Sequence, residues 1–220
     1  YRQHAIVGIP LSQSPGPAQL TYHLNGEPRQ HRFNVVAKTY TEQHITLENQ
    51  AMVTPPPETL ARIREELTRQ RERYARRAPV ENLANGFVKP LEGITTSLFG
   101  HRRFFNGQAR NPHSGLDIAA PSGTPIQAPA DATVTLADDL YFNGLTLFLD
   151  HGEGLITMYC HMSELIVGEG DKVVQGQVIG LVGTTGRSTG PHLHWTVSLN
   201  GTRVDPEVFL AQFSQVAAPR

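Results

Sequence analysis

Apolar and polar residues alternate in short runs over the first fifty positions, with Val, Ile, Tyr, Phe and Thr recurring in residues 5–9, 19–24, 32–40 and 44–47. Pro-Gly, Asn-Gly and Gln/Asn stretches separate the runs, so the pattern predicts the short strands of a small β unit over residues 1–54. Asn25-Gly26 is the best hairpin turn in it, because a type I′ turn needs positive φ at both central positions. The period then changes. Pro55, Pro56 and Pro57 open a helix, in whose first turn a missing N–H is tolerated. Leu60, Ile63, Leu67 and Tyr74 follow at spacings near three, four and seven and mark one face. Arg62, Arg64, Arg69, Arg71, Arg73, Arg76 and Arg77 cover much of the rest, and the helix runs out before Pro79. Such a charge run reads first as a solvated connecting helix, here a linker over residues 55–86, and second as a contact for an anionic polymer.

From Phe87 onward, dense glycine turns separate short β-type runs, and no helical period returns until residues 206–216. The expected fold is mainly β. A small N-terminal β domain and a connecting helix precede a C-terminal antiparallel β-sheet domain over residues 87–220. At 220 residues and 39% hydrophobic, the chain is long enough for one or two domains with a real core. A formal net charge of -1 provides no global field for nucleic acid or an anionic membrane. No apolar run approaches the roughly eighteen residues that a membrane span needs. Cys160 is the single cysteine, so no intrachain disulfide can form. The chain begins at Tyr1 without a Met or a signal-like apolar segment, which fits a processed mature form or an excised piece.

The chemistry centres on Gly190-Pro191-His192-Leu193-His194-Trp195. Two histidines two apart at the start of an apolar run share one side of a strand, because successive side chains alternate faces. Upstream, Pro112-His113-Ser114-Gly115-Leu116-Asp117 offers partners. If extended, residues 113, 115 and 117 share a face, and Gly115 removes the side chain that would crowd an ion. His113, Asp117 and His194 then make two imidazoles and one carboxylate, a tetrahedral zinc set with its fourth position left for water. In Thr157-Met158-Tyr159-Cys160-His161-Met162-Ser163, strand alternation puts Tyr159 and His161 on the site side and Met158, Cys160 and Met162 toward the core. Cys160 is accordingly expected to be a buried small hydrophobe.

His-x-x-x-Asp, Tyr-x-His-x-Ser and Gly-x-Ser-Thr-Gly-Pro-His-Leu-His-Trp, in that order, closely resemble the M23 zinc metallopeptidases of the lysostaphin or LytM type, over about residues 90–210. The resemblance implies a Zn2+-dependent endopeptidase that cuts peptidoglycan peptides, with His113, Asp117 and His194 as zinc ligands. It further implies that His161 and His192 are the two non-ligand histidines that assist the water or the tetrahedral intermediate. The N-terminal half resembles the accessory region of Gram-negative members, which favours a D-Ala to diaminopimelate crosslink over a Gly-Gly bridge and a periplasmic or secreted location. Peptidoglycan is the expected partner and a monomer the expected state.

Asn106, Tyr159, Thr184 and Ser188 are candidates for lining a peptide groove, or else for satisfying turn hydrogen bonds. His4, His23, His31, His44, His101 and His151 read as ordinary polar or structural residues. Two other readings stand beside the peptidase. One is a non-catalytic LytM-type wall-binding or amidase-activating module, which the full set of ligands and accessory histidines opposes. The other is a biotinyl- or lipoyl-like carrier suggested by Gly170-Asp171-Lys172-Val173, which lacks a Met-Lys-Met-like turn. A separate β segment on a proline-opened helix also suggests a cover over the groove that restrains activity.

Overall fold

The computed structural model describes residues 6–79 and 86–217. The N-terminal runs form a hairpin, β1 (Gly16–Leu24) and β2 (Glu27–Val35), in which Leu24 pairs with Glu27. Asn25 at φ 54° and Gly26 at φ 81° take the left-handed conformations that its two-residue turn demands. The run predicted at residues 5–9 is not a strand over 6–9, and residue 5 lies outside the described residues. Ile6 instead packs on the main core. A short strand, β3 (Glu42–Ile45), precedes a 3-10 turn at Pro57–Thr59 and the helix α1 (Leu60–Tyr74).

Helix α1 buries Ile63, Glu66, Gln70 and Tyr74, a stripe near the 3.6-residue period that includes two polar side chains. Leu67, expected on the apolar face, is 42% exposed. Glu66 accepts from Arg62 Nε at 2.6 Å and from the Tyr141 amide at 2.9 Å, which makes its burial tolerable. Tyr74 is 4% exposed and meets Phe148 edge-on at 5.0 Å, in a cluster with Leu136, Ile156, Met158 and Cys160. The helix therefore covers a sheet face and is more than a solvated connector. Its arginines are also engaged inside the molecule, Arg69 with Asp138 at 2.7 Å, Arg73 with Glu169 at 3.2 Å, and Arg76 beyond the helix end with Asp150 at 3.1 Å.

After the helix come β4 (Ile94–Ser97), β5 (Arg102–Phe105), β6 (Gln108–Ala109), β7 (Leu116–Ala119), β8 (Pro125–Gln127), β9 (Ala132–Leu140), β10 (Gly144–Asp150) and β11 (Leu155–Met162). Then follow β12 (Glu164–Leu165), β13 (Lys172–Val173), β14 (Val178–Leu181), β15 (His192–Leu199), β16 (Thr202–Val204) and α2 (Pro206–Ala217). The main antiparallel sheet runs β13-β9-β10-β11-β15-β7-β4, with β16 paired to β15. Two smaller sheets flank it, β12-β14-β8 and β3-β5-β6. In the second, β3 pairs in parallel with β5, so a strand from before the helix joins strands from after it.

Alternation along β15 sends Leu193, Trp195 and Val197 into the main core with Tyr159, Leu147 and Leu149, while His192, His194 and Thr196 take the other face. On the core side, Phe209 and Phe213 of α2 close against Phe87 at 5.1 and 5.5 Å. In β11 the alternation breaks. Tyr159 pairs with Leu147 but Met162 pairs with Leu145, a bulge marked by His161 at φ 63°. Tyr159 and Met162 consequently share the main core, and Met158 and Cys160 face Tyr74. The expected facing of Met162 with Cys160, and of His161 with Tyr159, is corrected by this bulge, which re-aims the imidazole.

Candidate metal centre

Adjacent strands bring the predicted ligands together. In the sheet, Asp117 of β7 lies directly opposite His194 of β15, which lies opposite Cys160 of β11. His113, in the segment leading into β7, reaches the same point. Its Nε2 is 2.9 Å from His194 Nδ1 and 3.0 Å from Asp117 Oδ1, and His194 Nδ1 is 2.7 Å from Asp117 Oδ1. Gly115 permits this approach: a Cβ there would sit 2.4 Å from the Trp195 carbonyl oxygen and 2.9 Å from His194 Cε1. The glycine accommodates strand β15 and the His194 ring, a tighter demand than leaving space for an ion.

Each ligand candidate is held from behind. His113 Nδ1–H donates to the Leu98 carbonyl at 2.8 Å, which leaves Nε2 with its lone pair toward the centre. His194 Nε2 lies 3.1 Å from Thr196 Oγ1, the partner that takes the ring proton when Nδ1 is free for a cation. Arg103 Nη2 binds the second oxygen of Asp117. Burial pushes the Asp117 carboxyl up, but the His113 and His194 rings, within 3.0 Å of Oδ1, outweigh it and hold the group well below its ordinary value. Burial lowers His194 to about 4 against the opposing attraction of Asp117. All three side chains are buried.

Two ring nitrogens 2.9 Å apart, facing each other beside a carboxylate oxygen, form a donor set that suits a cation. The set of two imidazoles and one carboxylate fits zinc and leaves a coordination position open, as catalytic zinc sites do.

His161 and His192 lie next to this group as a pair, with ring centroids 4.8 Å apart and His161 6.2 Å from His194. Both rings are anchored through Nδ1. His161 Nδ1–H donates to the Thr185 carbonyl and His192 Nδ1–H to the Gly190 carbonyl, each at 2.8 Å. Burial, reinforced by His192 and His194, pushes His161 down to about 3, and it is neutral at ordinary pH. Cys160 is buried, accepts from Asn143 Nδ2 at 3.1 Å and is pushed up to about 12 by burial, which leaves it an inert thiol.

His113, His161 and His194 open on a cavity of about 1040 Å³ that is also lined by Arg103, Arg110 and Arg187 and by residues 10–12 and 53–55. The four groove candidates are placed elsewhere. Tyr159 is fully buried, 2.9 Å from Thr157 Oγ1. Asn106, at φ 48°, binds the backbone N–H and carbonyl of Leu47. Thr184 donates to Ser188 Oγ at 3.1 Å, and Ser188 donates to the Gly190 carbonyl at 2.7 Å, so these two shape the loop that carries His192. Sequence reading passed over Arg103 and the Leu98, Thr185 and Gly190 carbonyls, for which no spacing rule exists. Thr196 was findable, two positions beyond His194 on the same strand face.

Fold and site define a mainly β metalloprotein with a two-histidine, one-carboxylate centre. The chain belongs to peptidase family M23, whose profile matches residues 111–206. The crystal structure of an assigned M23 peptidase from Pseudomonas aeruginosa is 44% identical, covers 94% of this chain and is itself covered to 78%, with a TM-score of 0.75. A zinc-containing peptidase from Vibrio cholerae is 34% identical over 55% of this chain and 39% of its own, with a TM-score of 0.52. Among curated proteins, the DD-carboxypeptidase/endopeptidase Mpg of Neisseria meningitidis is 42% identical over 111 residues, 50% of this chain and 26% of that protein. The peptidoglycan DD-endopeptidase ShyA of Vibrio cholerae is 42% identical over 94 residues, 43% of this chain and 22% of that protein. The chain thus spans about a quarter of the length of the curated relatives it matches. No described helix is long and apolar enough to cross a membrane.

Proposed function

We propose that this chain is a zinc-dependent endopeptidase that hydrolyses peptide crosslinks of peptidoglycan, acting outside the cytoplasm and in the periplasm of a Gram-negative cell. The observation that carries this reading is the convergence of His113 Nε2, Asp117 Oδ1 and His194 Nδ1 within 3.0 Å, beside a second pair of histidines whose Nδ1 atoms are tied to backbone carbonyls. The DD designation of the relatives supports the D-Ala to diaminopimelate bond, which joins two D-centres. His113, Asp117 and His194 would hold Zn2+, which supplies a Lewis acid for the scissile carbonyl and lowers the pKa of a coordinated water toward about 7.

The chain's own residues supply orientation and proton transfer. Arg103 and the Leu98 carbonyl fix Asp117 and His113, so the donor set is arranged before substrate enters. His161 presents a neutral Nε2 that can take the proton of the attacking water, and His192 stands beside it with Nδ1 held by the Gly190 carbonyl. Once protonated, the same N–H can donate to the developing oxyanion or deliver its proton to the departing amine. Thr184 and Ser188 act indirectly, through the loop that positions His192. Residues 87–220 carry all five of these side chains, with residues 1–54 and the helix region 55–86 as accessory parts.

Purified peptidoglycan with direct D-Ala to diaminopimelate crosslinks and peptidoglycan with Gly-Gly bridges, digested in parallel, separate the alternatives. New D-Ala carboxyl and diaminopimelate amino termini, identified by mass spectrometry, are the expected products. New glycine termini would contradict the choice of bond. Intact polymer of both kinds would contradict the peptidase reading.

A further inference from the structure

Four arginines line the cavity beside the metal centre, Arg103, Arg110, Arg187 and Arg203, and three of them already have partners. Arg203 lies over the Tyr74 ring, 4.6 Å from its centroid. Arg103 holds Asp117, and Arg110 donates to the Val53 carbonyl at 2.7 Å and to Gln108 Oε1 at 2.6 Å. Arg187 lies between the rings of Phe105 and Phe142, its guanidinium carbon 4.5 and 4.4 Å from their centroids. Its side chain has one hydrogen bond, from Nη1 to the Met52 carbonyl at a long 3.4 Å, and no carboxylate partner among the described residues. An aromatic stack fixes the plane of an arginine and leaves its N–H edges for a planar anion. Burial lowers this guanidinium to about 10, with Arg103 and Arg110 adding repulsion. A partly desolvated cation in that position is one whose partner arrives with the ligand.

We propose that Arg187, with Arg110 beside it, is the subsite for a free substrate carboxylate next to the scissile bond. The inference rests on the peptidase reading and deepens it by naming what the cleft selects. The carboxylate is part of the chemistry of the proposed crosslink: the diaminopimelate carbon bonded to the scissile nitrogen also bears a free carboxyl group. A Gly-Gly bridge has none there. Planar, bidentate recognition by a guanidinium would orient the bond and reject uncharged bridges at once. The positive wall would also steer an anionic peptide into the cleft.

The full-length, zinc-loaded chain is assayed on two crosslinked stem-peptide dimers that differ only in whether that carboxyl is free or a carboxamide. Wild type should favour the acid by about 10- to 100-fold in kcat/KM, the range of a charged hydrogen-bond pair. Arg187→Gln should abolish that preference by lowering the acid rate while the amide rate stays within about threefold, and Arg110→Gln should reduce the preference in the same direction. The preference is a ratio measured within one preparation, so partial misfolding does not alter it. A wild type indifferent to the carboxyl, or equal losses on both dimers in the variants, would overturn this subsite and leave the peptidase reading intact. Cleavage of neither dimer by wild type would overturn both.

Discussion

At the scale of single residues, the centre depends on contacts that leave little room for substitution. Gly115 is adjacent to the Trp195 carbonyl and the His194 ring, so Gly115→Ala must part β7 from β15 or tilt the imidazole. Thr196→Val removes the acceptor behind His194 and should weaken zinc binding by about 10- to 100-fold, the usual cost of losing an outer partner of a ligand, as read by competition with a chelator. His151, set apart in the sequence as structural, is 3% exposed, donates through Nδ1 to the Asp131 carbonyl and accepts through Nε2 from Thr157. Burial lowers it to about 4. The unfolded chain therefore takes the proton first as pH falls below about 6.5, and the stability due to neutral His151 is complete above that value and lost toward pH 4. Thermal unfolding of wild type should drop across this interval, and His151→Gln should flatten the drop; an unchanged profile in the variant would contradict it.

At the scale of elements, some of the design was written in local pattern and some was not. The Asn25-Gly26 hairpin and the shared face of His192 and His194 follow from positive-φ chemistry and the two-residue period, and both were legible. The orientation of His161 was not, because a bulge leaves no mark in alternation until the partner strand is known. Nor was the buried face of α1, where Glu66 and Gln70 lie inward and Glu66 accepts from the Tyr141 amide, a backbone group supplied from elsewhere in the chain. Tyr74 tests that packing. Tyr74→Ala would open a hole beside Phe148 and Met158 and should cost about 3–5 kcal/mol in chemical denaturation, the range for losing a large buried aromatic. A loss near zero would mean that the helix only tethers.

At the scale of the whole molecule, the N-terminal part and the sheet are interdependent. A fragment starting near Arg77 loses both Tyr74, which seals one face of the main sheet, and β3, which pairs with β5. It should melt at a lower temperature than the full chain, so slow turnover by such a fragment would report damage rather than the absence of restraint. Residues 10–12 and 53–55 do line the cavity, which is where a restraint of the kind expected from the sequence would act. The assembly of the metal centre was the most legible long-range feature, because three motifs each carry part of a recognisable donor set. The cationic wall was the least legible, since Arg103, Arg110 and Arg187 are brought together by the fold alone.

The central claim is a division of labour, with His113, Asp117 and His194 holding zinc while His161 and His192 move protons. Zinc content measured by elemental analysis on Asp117→Ala and His161→Ala, beside turnover of the same preparations, tests it directly. The account predicts that Asp117→Ala loses both metal and activity, whereas His161→Ala keeps close to one zinc per chain and loses turnover. Loss of zinc from His161→Ala, or full retention by Asp117→Ala, would contradict it.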